Sequence, residues 1–227
     1  MKNYTLIFEC DDFIVIDKLP GISVHKDQLL SGLTMELSAD VGYSLYLVHR
    51  LDKVTSGLMI FAKHAQAAAG LSRLFAEHQV QKFYLALSAK KPSKKQGTIK
   101  GDMAKSRRGM WKLEKTRVNP AITRFFSSAV GAGFRLFLVK PQTGKTHQIR
   151  VALKSIGAAI LGDPLYSSDY ASEERTYLHA WQLGFTYLGV EHQFRSDPSV
   201  GEHFRSEAVK KQLADWENPF QLSWPGQ

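Results

Sequence analysis

The stretch HRLDKVTSGLMIFAK, His49 to Lys63, sets a carboxylate, Asp52, between Arg50 and Lys53, ahead of a Thr-Ser-Gly turn and an apolar run. Taken alone, Asp52 reads as a salt-bridged residue capping a turn that leads into a buried strand. The flanking sequence supplies a frame: SLYLVHR before the turn and GLMIFAK after it read as two strands. Asp52 then stands on a tight loop at a strand end, where a rigid sheet can position a reacting group.

Working outward, YTLIFE and FIVIDK are β-branched and aromatic, are separated by Asp11-Asp12 and are followed by the turn pair Pro20-Gly21, so they read as two further strands. AQAAAGLSRLFAEH carries Ala68, Leu71, Leu74, Phe75 and His78 at helical spacing and predicts an amphipathic helix. VQKFYLALSAK returns to strand. AITRFFSSA and FRLFLVKP form a strand pair across Val130-Gly131-Ala132-Gly133, and THQIRVALKSIG has helical spacing that ends on Gly157, a C′ glycine. YLHAWQLGFTYLG is a strand and FRSEAVKKQLADW a terminal helix. Adjacent strand pairs with a few helices predict an α+β fold with a mixed, mainly antiparallel sheet flanked by helices.

The 227 residues are 44% apolar, enough for a substantial core. No window of about 18 apolar residues occurs, and MKNYTLIFECDD lacks the apolar region of a signal peptide, which predicts a cytoplasmic protein. The single cysteine, Cys10, excludes an intramolecular disulfide and a multi-thiolate zinc site. The net charge of +9 is focused: residues 90–117 hold eleven bases, among them Lys94, Lys95, Arg107 and Arg108, against Asp102 and Glu114. The rest of the chain balances at nineteen against nineteen. Such focusing suits a polyanion such as nucleic acid, and Met103, Met110 and Trp111 among the cations suit stacking on unpaired bases. A solvated lysine-rich loop is the other reading.

Several apparent motifs fail. Gly144-Lys145-Thr146 would need a glycine at position 139 to form a phosphate loop, and Val139 stands there. His49 and His147 have no further ligand at metal-binding spacing, and no Gly-x-Ser-x-Gly elbow occurs.

Six ordered segments remain: DKLPGISVH (17–25), HRLDKVTSGLMIFAK (49–63), KFYLAL (82–87), PQTGKTHQIRVAL (141–153), LGDPLY (161–166) and LHAWQLGF (178–185). Together they resemble the RluA-type RNA pseudouridine synthases over roughly residues 12–187, and HRLD-x-x-TSG is specific to that family. The resemblance implies the pseudouridine synthase fold and isomerisation of a uridine in ribosomal or transfer RNA, without cofactor or metal. Asp52 matches the family's essential aspartate, acting as nucleophile on the sugar or as base on a sugar proton. A carboxylate in a water-poor site needs an opposing cation to remain charged; Arg150, from THQIR, matches the arginine that pairs with it. Tyr84 matches the tyrosine that packs on the target base, with proton transfer at the glycosylated carbon as a further role and a core aromatic as its bland alternative. Arg50 matches the arginine that enters the RNA near the vacated base position, where it would offset the stacking given up on base flipping. A structural ion pair is the alternative for Arg50.

Two departures stand out: Lys145 replaces a family arginine, keeping charge but not bidentate geometry, and Ala152 replaces a histidine. The reading expects one catalytic domain over 1–227, without the S4 RNA-binding domain of many relatives, monomeric, with the 90–117 segment gripping the RNA backbone and Lys145 adding a phosphate or structural contact. Two rivals follow. One is a non-catalytic RNA-binding or ribosome-assembly factor on the same scaffold. The other is a hydrolase using Asp52 as a glycosidase would, although such chemistry wants a second carboxylate that the motif lacks.

Overall fold

The computed structural model describes residues 2–24 and 32–226; His25, at the end of the 17–25 segment, lies outside the described residues. In chain order the described residues form β1 (Tyr4–Glu9), β2 (Phe13–Lys18), α1 (Leu33–Val41), β3 (Tyr46–Leu47), β4 (Ser56–Ala62), α2 (Ala65–Ala76) and β5 (Gln81–Ser88). They continue with β6 (Gln96–Lys105), β7 (Trp111–Glu114), β8 (Ala121–Ala129), β9 (Arg135–Pro141) and α3 (Gln148–Ser155). β10 (Leu178–Tyr187), β11 (Val190–Arg195) and α4 (Glu207–Asp215) complete the α+β fold. The chain divides into two compact units, Met1–Gln81 with Ala180–Asp197, and Lys82–His179 with Pro198–Gln227.

In the first unit the strand order is β1-β2-β4-β10, with β3 beside β4 and β11 beside β10. β2 and β4 run antiparallel with Asp17 opposite Leu58 and Lys18 opposite Gly57. Alternate residues, Phe13 and Val15, Leu58 and Ile60, Leu183 and Phe185, meet Ala67 and Leu71, one turn apart on α2. Period two against period 3.6 thus builds the core. β2 and β4 are buried at every position, which is why both read as continuous apolar runs rather than as alternating ones.

In the second unit the order is β5-β9-β8-β6-β7, antiparallel throughout. Ala86, Phe125, Phe137 and Val139 from one sheet face pack on Ile149, Ala152 and Leu153 of α3. Gly157 has φ +80°, the left-handed conformation expected just after that helix.

The structure departs from the sequence reading in four places. SLYLVHR is strand only at Tyr46–Leu47, so His49 and Arg50 belong to the loop. Residues 96–114 form a hairpin of β6 and β7; the glycines, lysines and aspartate of QGTIKGDMAK hide a strand that cross-strand pairing enforces. α1 escaped because its N-cap, Gly32, offers no capping side chain. β11 follows a tight Leu188-Gly189 turn with both φ positive, 49° and 81°, but without the Asn or Asp that usually marks such a hairpin.

Candidate active site

In the first unit, Asp52 is half-buried on the loop between β3 and β4. Its carbonyl accepts the Thr55 amide at 3.0 Å and closes the turn. The turn is anchored from β2 by Lys18, whose fully buried ammonium donates to the carbonyls of Leu19 (2.9 Å), Ile22 (3.1 Å) and Lys53 (3.3 Å). Three carbonyl dipoles make the buried charge tolerable, and the Lys53 carbonyl also takes the Gly21 amide at 2.9 Å. The Pro20-Gly21 loop and the Asp52 turn are therefore held as one piece.

The glycine of the Thr-Ser-Gly element has an equally local cause. Gly57 sits at φ +111°, and a Cβ there would lie 2.3 Å from the Ala180 carbonyl oxygen and 2.5 Å from the Ala180 nitrogen. No other residue lets β4 approach β10 so closely at the base of the Asp52 loop. His49 accepts the Ile60 amide on Nε2 at 2.9 Å, and its ring stacks on Phe75 with centroids 4.2 Å apart. That arrangement makes it an anchor of the loop. Arg50 is exposed on the same loop.

In the second unit, Tyr84 lies on β5 opposite Val139 and packs, partly buried, against the Ala86, Val139 and α3 cluster. Lys82, two residues earlier and so on the same strand face, has its amine pushed below the usual lysine range by burial. Arg150 projects from α3 and is 3% exposed. Its Nε and Nη2 grip both oxygens of the fully buried Asp163 at 2.7 and 2.9 Å. Asp163 Oδ1 also accepts the amides of Leu165 (2.9 Å) and Tyr166 (3.2 Å), so the buried pair is well hydrogen-bonded.

The loop leading into α3 is fixed by Gln148. Its Oε1 accepts from Thr143 Oγ1 (2.7 Å) and the Lys145 amide (3.0 Å), while its Nε2 donates to Ile122 O and Thr123 Oγ1. Lys145 Nζ donates to Asn119 Oδ1 at 3.0 Å. Asn119 in turn belongs to a turn whose amides, with that of Val118, bind Asp102 and hold its carboxyl below the usual range. Lys145 thus has a structural contact at the hairpin base.

The basic segment is split by its own strand. Lys94 and Lys95 are exposed before β6, whereas Arg107 and Arg108 are exposed at the hairpin tip, where Ser106 and Met110 close the turn. The ten residues of β6 between them can span up to about 30 Å. Sequence reasoning did not single out Lys18, Asp163 or Tyr166, although all three lie in the quoted segments 17–25 and 161–166.

The RNA pseudouridylate synthase family model matches residues 12–155. The chain belongs to this family. Over 209 residues it is 53% identical to an RNA pseudouridine synthase of Haemophilus influenzae that is itself named as uncharacterized, covering 92% of this chain and 93% of that one. The ribosomal large subunit pseudouridine synthase D of Zymomonas mobilis is 32% identical over 80% of this chain, and synthase C of Rickettsia bellii 36% over 77%. The match covers 64% and 61% of those two relatives, less than two thirds of either. In fold, the chain resembles human RNA pseudouridylate synthase domain containing 1, with a TM-score of 0.77, 21% identity and 95% of each chain covered. As a pseudouridine synthase it is an isomerase whose substrate is RNA. Among the described residues no helix is long and apolar enough to cross a membrane.

Proposed function

We propose that this synthase isomerises a uridine of ribosomal or transfer RNA with Asp52 as the reacting carboxylate. In the reaction the C1′–N1 glycosidic bond breaks, the uracil turns, C5 bonds to C1′, the C5 proton leaves and N1 takes up a proton, so that the composition is unchanged. Asp52 serves as nucleophile on the sugar or as base on a sugar proton. Arg150 supplies the opposing cation, Tyr84 packs on the base, and Arg50 fills the space that the flipped base vacates. The observation that carries the reading is the mount of Asp52: Lys18 and Gly57 fix a short loop that presents one carboxylate from the end of β4.

The hairpin and the Lys94-Lys95 bend supply backbone contacts, and the enzyme works as a cytoplasmic monomer. The names of two relatives point to large-subunit ribosomal RNA as the first substrate to try. Tritium release from transcripts carrying uridine labelled at C5 tests this. Release from a ribosomal or transfer RNA transcript is expected. Tight binding to both without release would favour the assembly-factor reading.

A further inference from the structure

Tyr166 stands where three parts of the second unit meet. It is 5% exposed, and its hydroxyl accepts the Trp111 amide at 2.8 Å. The same oxygen lies 2.9 Å from His147 Nδ1. The direction of that second bond follows the imidazole tautomer, and in either direction the hydroxyl joins the hairpin to the start of α3. Trp111 is the first residue of β7, paired with Lys105 and one step beyond the tip that carries Arg107 and Arg108. The hydroxyl therefore pins the hairpin immediately behind its exposed arginines.

The ring of Tyr166 serves a different partner. The Arg150 guanidinium carbon lies 5.0 Å from the ring centroid and the Lys154 ammonium 5.3 Å, two cations one helical turn apart on α3. Asp163 completes a closed circuit, since it binds the Arg150 guanidinium and the Tyr166 backbone amide together. The hydroxyl thus links the hairpin to the ring, and the ring is one wall of the Arg150 seat. His147, held at φ 56° and ψ 18° at the start of α3, ties the same hydroxyl to the helix that bears Arg150.

We propose that Tyr166 is a positioning residue that couples the seating of RNA on the basic hairpin to the orientation of Arg150. This rests on reading the hairpin as an RNA grip and Arg150 as the cation of the site. RNA held on Arg107 and Arg108 would fix the guanidinium in its working position, so that the reaction is favoured when the strand is engaged.

The test is a double-mutant cycle in the full chain between Tyr166→Phe, which keeps the ring and removes the hydroxyl, and the pair Arg107→Gln with Arg108→Gln. Binding is read with a fluorescein-labelled RNA stem-loop carrying uridines in its loop. Tyr166→Phe should weaken binding by about threefold to tenfold, the effect of removing one or two neutral hydrogen bonds. In the arginine-depleted background it should weaken binding no further. It should also slow single-turnover tritium release at saturating RNA, with thermal unfolding close to that of the wild type. Weakening that multiplies in the combined variant, or release unchanged at saturation, would overturn the coupling while leaving the grip intact. Wild-type binding by the arginine pair variant would instead remove the grip, and the coupling with it.

Discussion

Arg150 and Asp163 form a buried, two-pronged ion pair, with Nε and Nη2 at 2.7 and 2.9 Å from the two carboxylate oxygens. Asp163 is fully buried, so the pair has little water to fall back on. Asp163→Asn should cost about 3–5 kcal/mol of stability, because it removes the buried charge that the guanidinium grips with two hydrogen bonds and perturbs the turn that Oδ1 holds. Urea unfolding measures this; a decrease below about 1 kcal/mol would mean that Arg150 relaxes into another seat.

Gly57→Ala should be among the most damaging small substitutions, at least about 3 kcal/mol, since the added carbon meets backbone rather than a movable side chain. Gly131 provides the contrast. It also has positive φ, 79°, but faces open space, so Gly131→Ala should cost only about 1 kcal/mol. Equal effects from both substitutions, compared by urea midpoint, would contradict the close approach of β4 to Ala180.

The basic segment should act as two patches. Replacing Lys94 and Lys95 with Gln, and separately Arg107 and Arg108 with Gln, should each weaken RNA binding and flatten its dependence on salt by about 0.7–0.9 for every phosphate left without its cation. The measurement is the slope of log affinity against log salt concentration. A slope unchanged by both replacements would assign the charge to solubility alone.

Tyr177 contributes to the alkaline limb of stability. Burial first, and then its hydrogen bond to the Glu174 carboxylate at 2.9 Å, push its hydroxyl up from 10.0 to about 12. The folded state thus keeps a proton that the unfolded chain releases. The resulting stabilisation is fully present below pH 10 and is lost as pH rises through about 12. Subtracting the urea midpoints of Tyr177→Phe from those of the wild type between these values should show a declining difference; a flat difference would refute the assignment.

The sequence showed most of this fold where local chemistry and packing agree. β2, β4 and β9 carry apolar runs and α3 an apolar helical period, each matched by its burial, and Gly157 marks the end of its helix. Legibility failed where the deciding partner is distant in sequence. β6 has a glycine- and lysine-rich face that only pairing with β7 and β8 makes a strand. The candidate site shows the same division. Asp52, Tyr84 and Arg150 were visible as residues within motifs, and so were the turn glycines. Asp163, 13 residues from Arg150, and Lys18, 35 residues from Lys53, act through contacts that no spacing rule announces. Tyr166 is 55 residues from Trp111, and their bond is invisible until the hairpin is seen.

The central claim is that Asp52 is the reacting carboxylate, and single-turnover tritium release by Asp52→Ala tests it most directly. The variant should bind the labelled RNA as tightly as the wild type and release no tritium above background. Release at a rate comparable to the wild type, with binding intact, would contradict the account and transfer the chemistry to another residue.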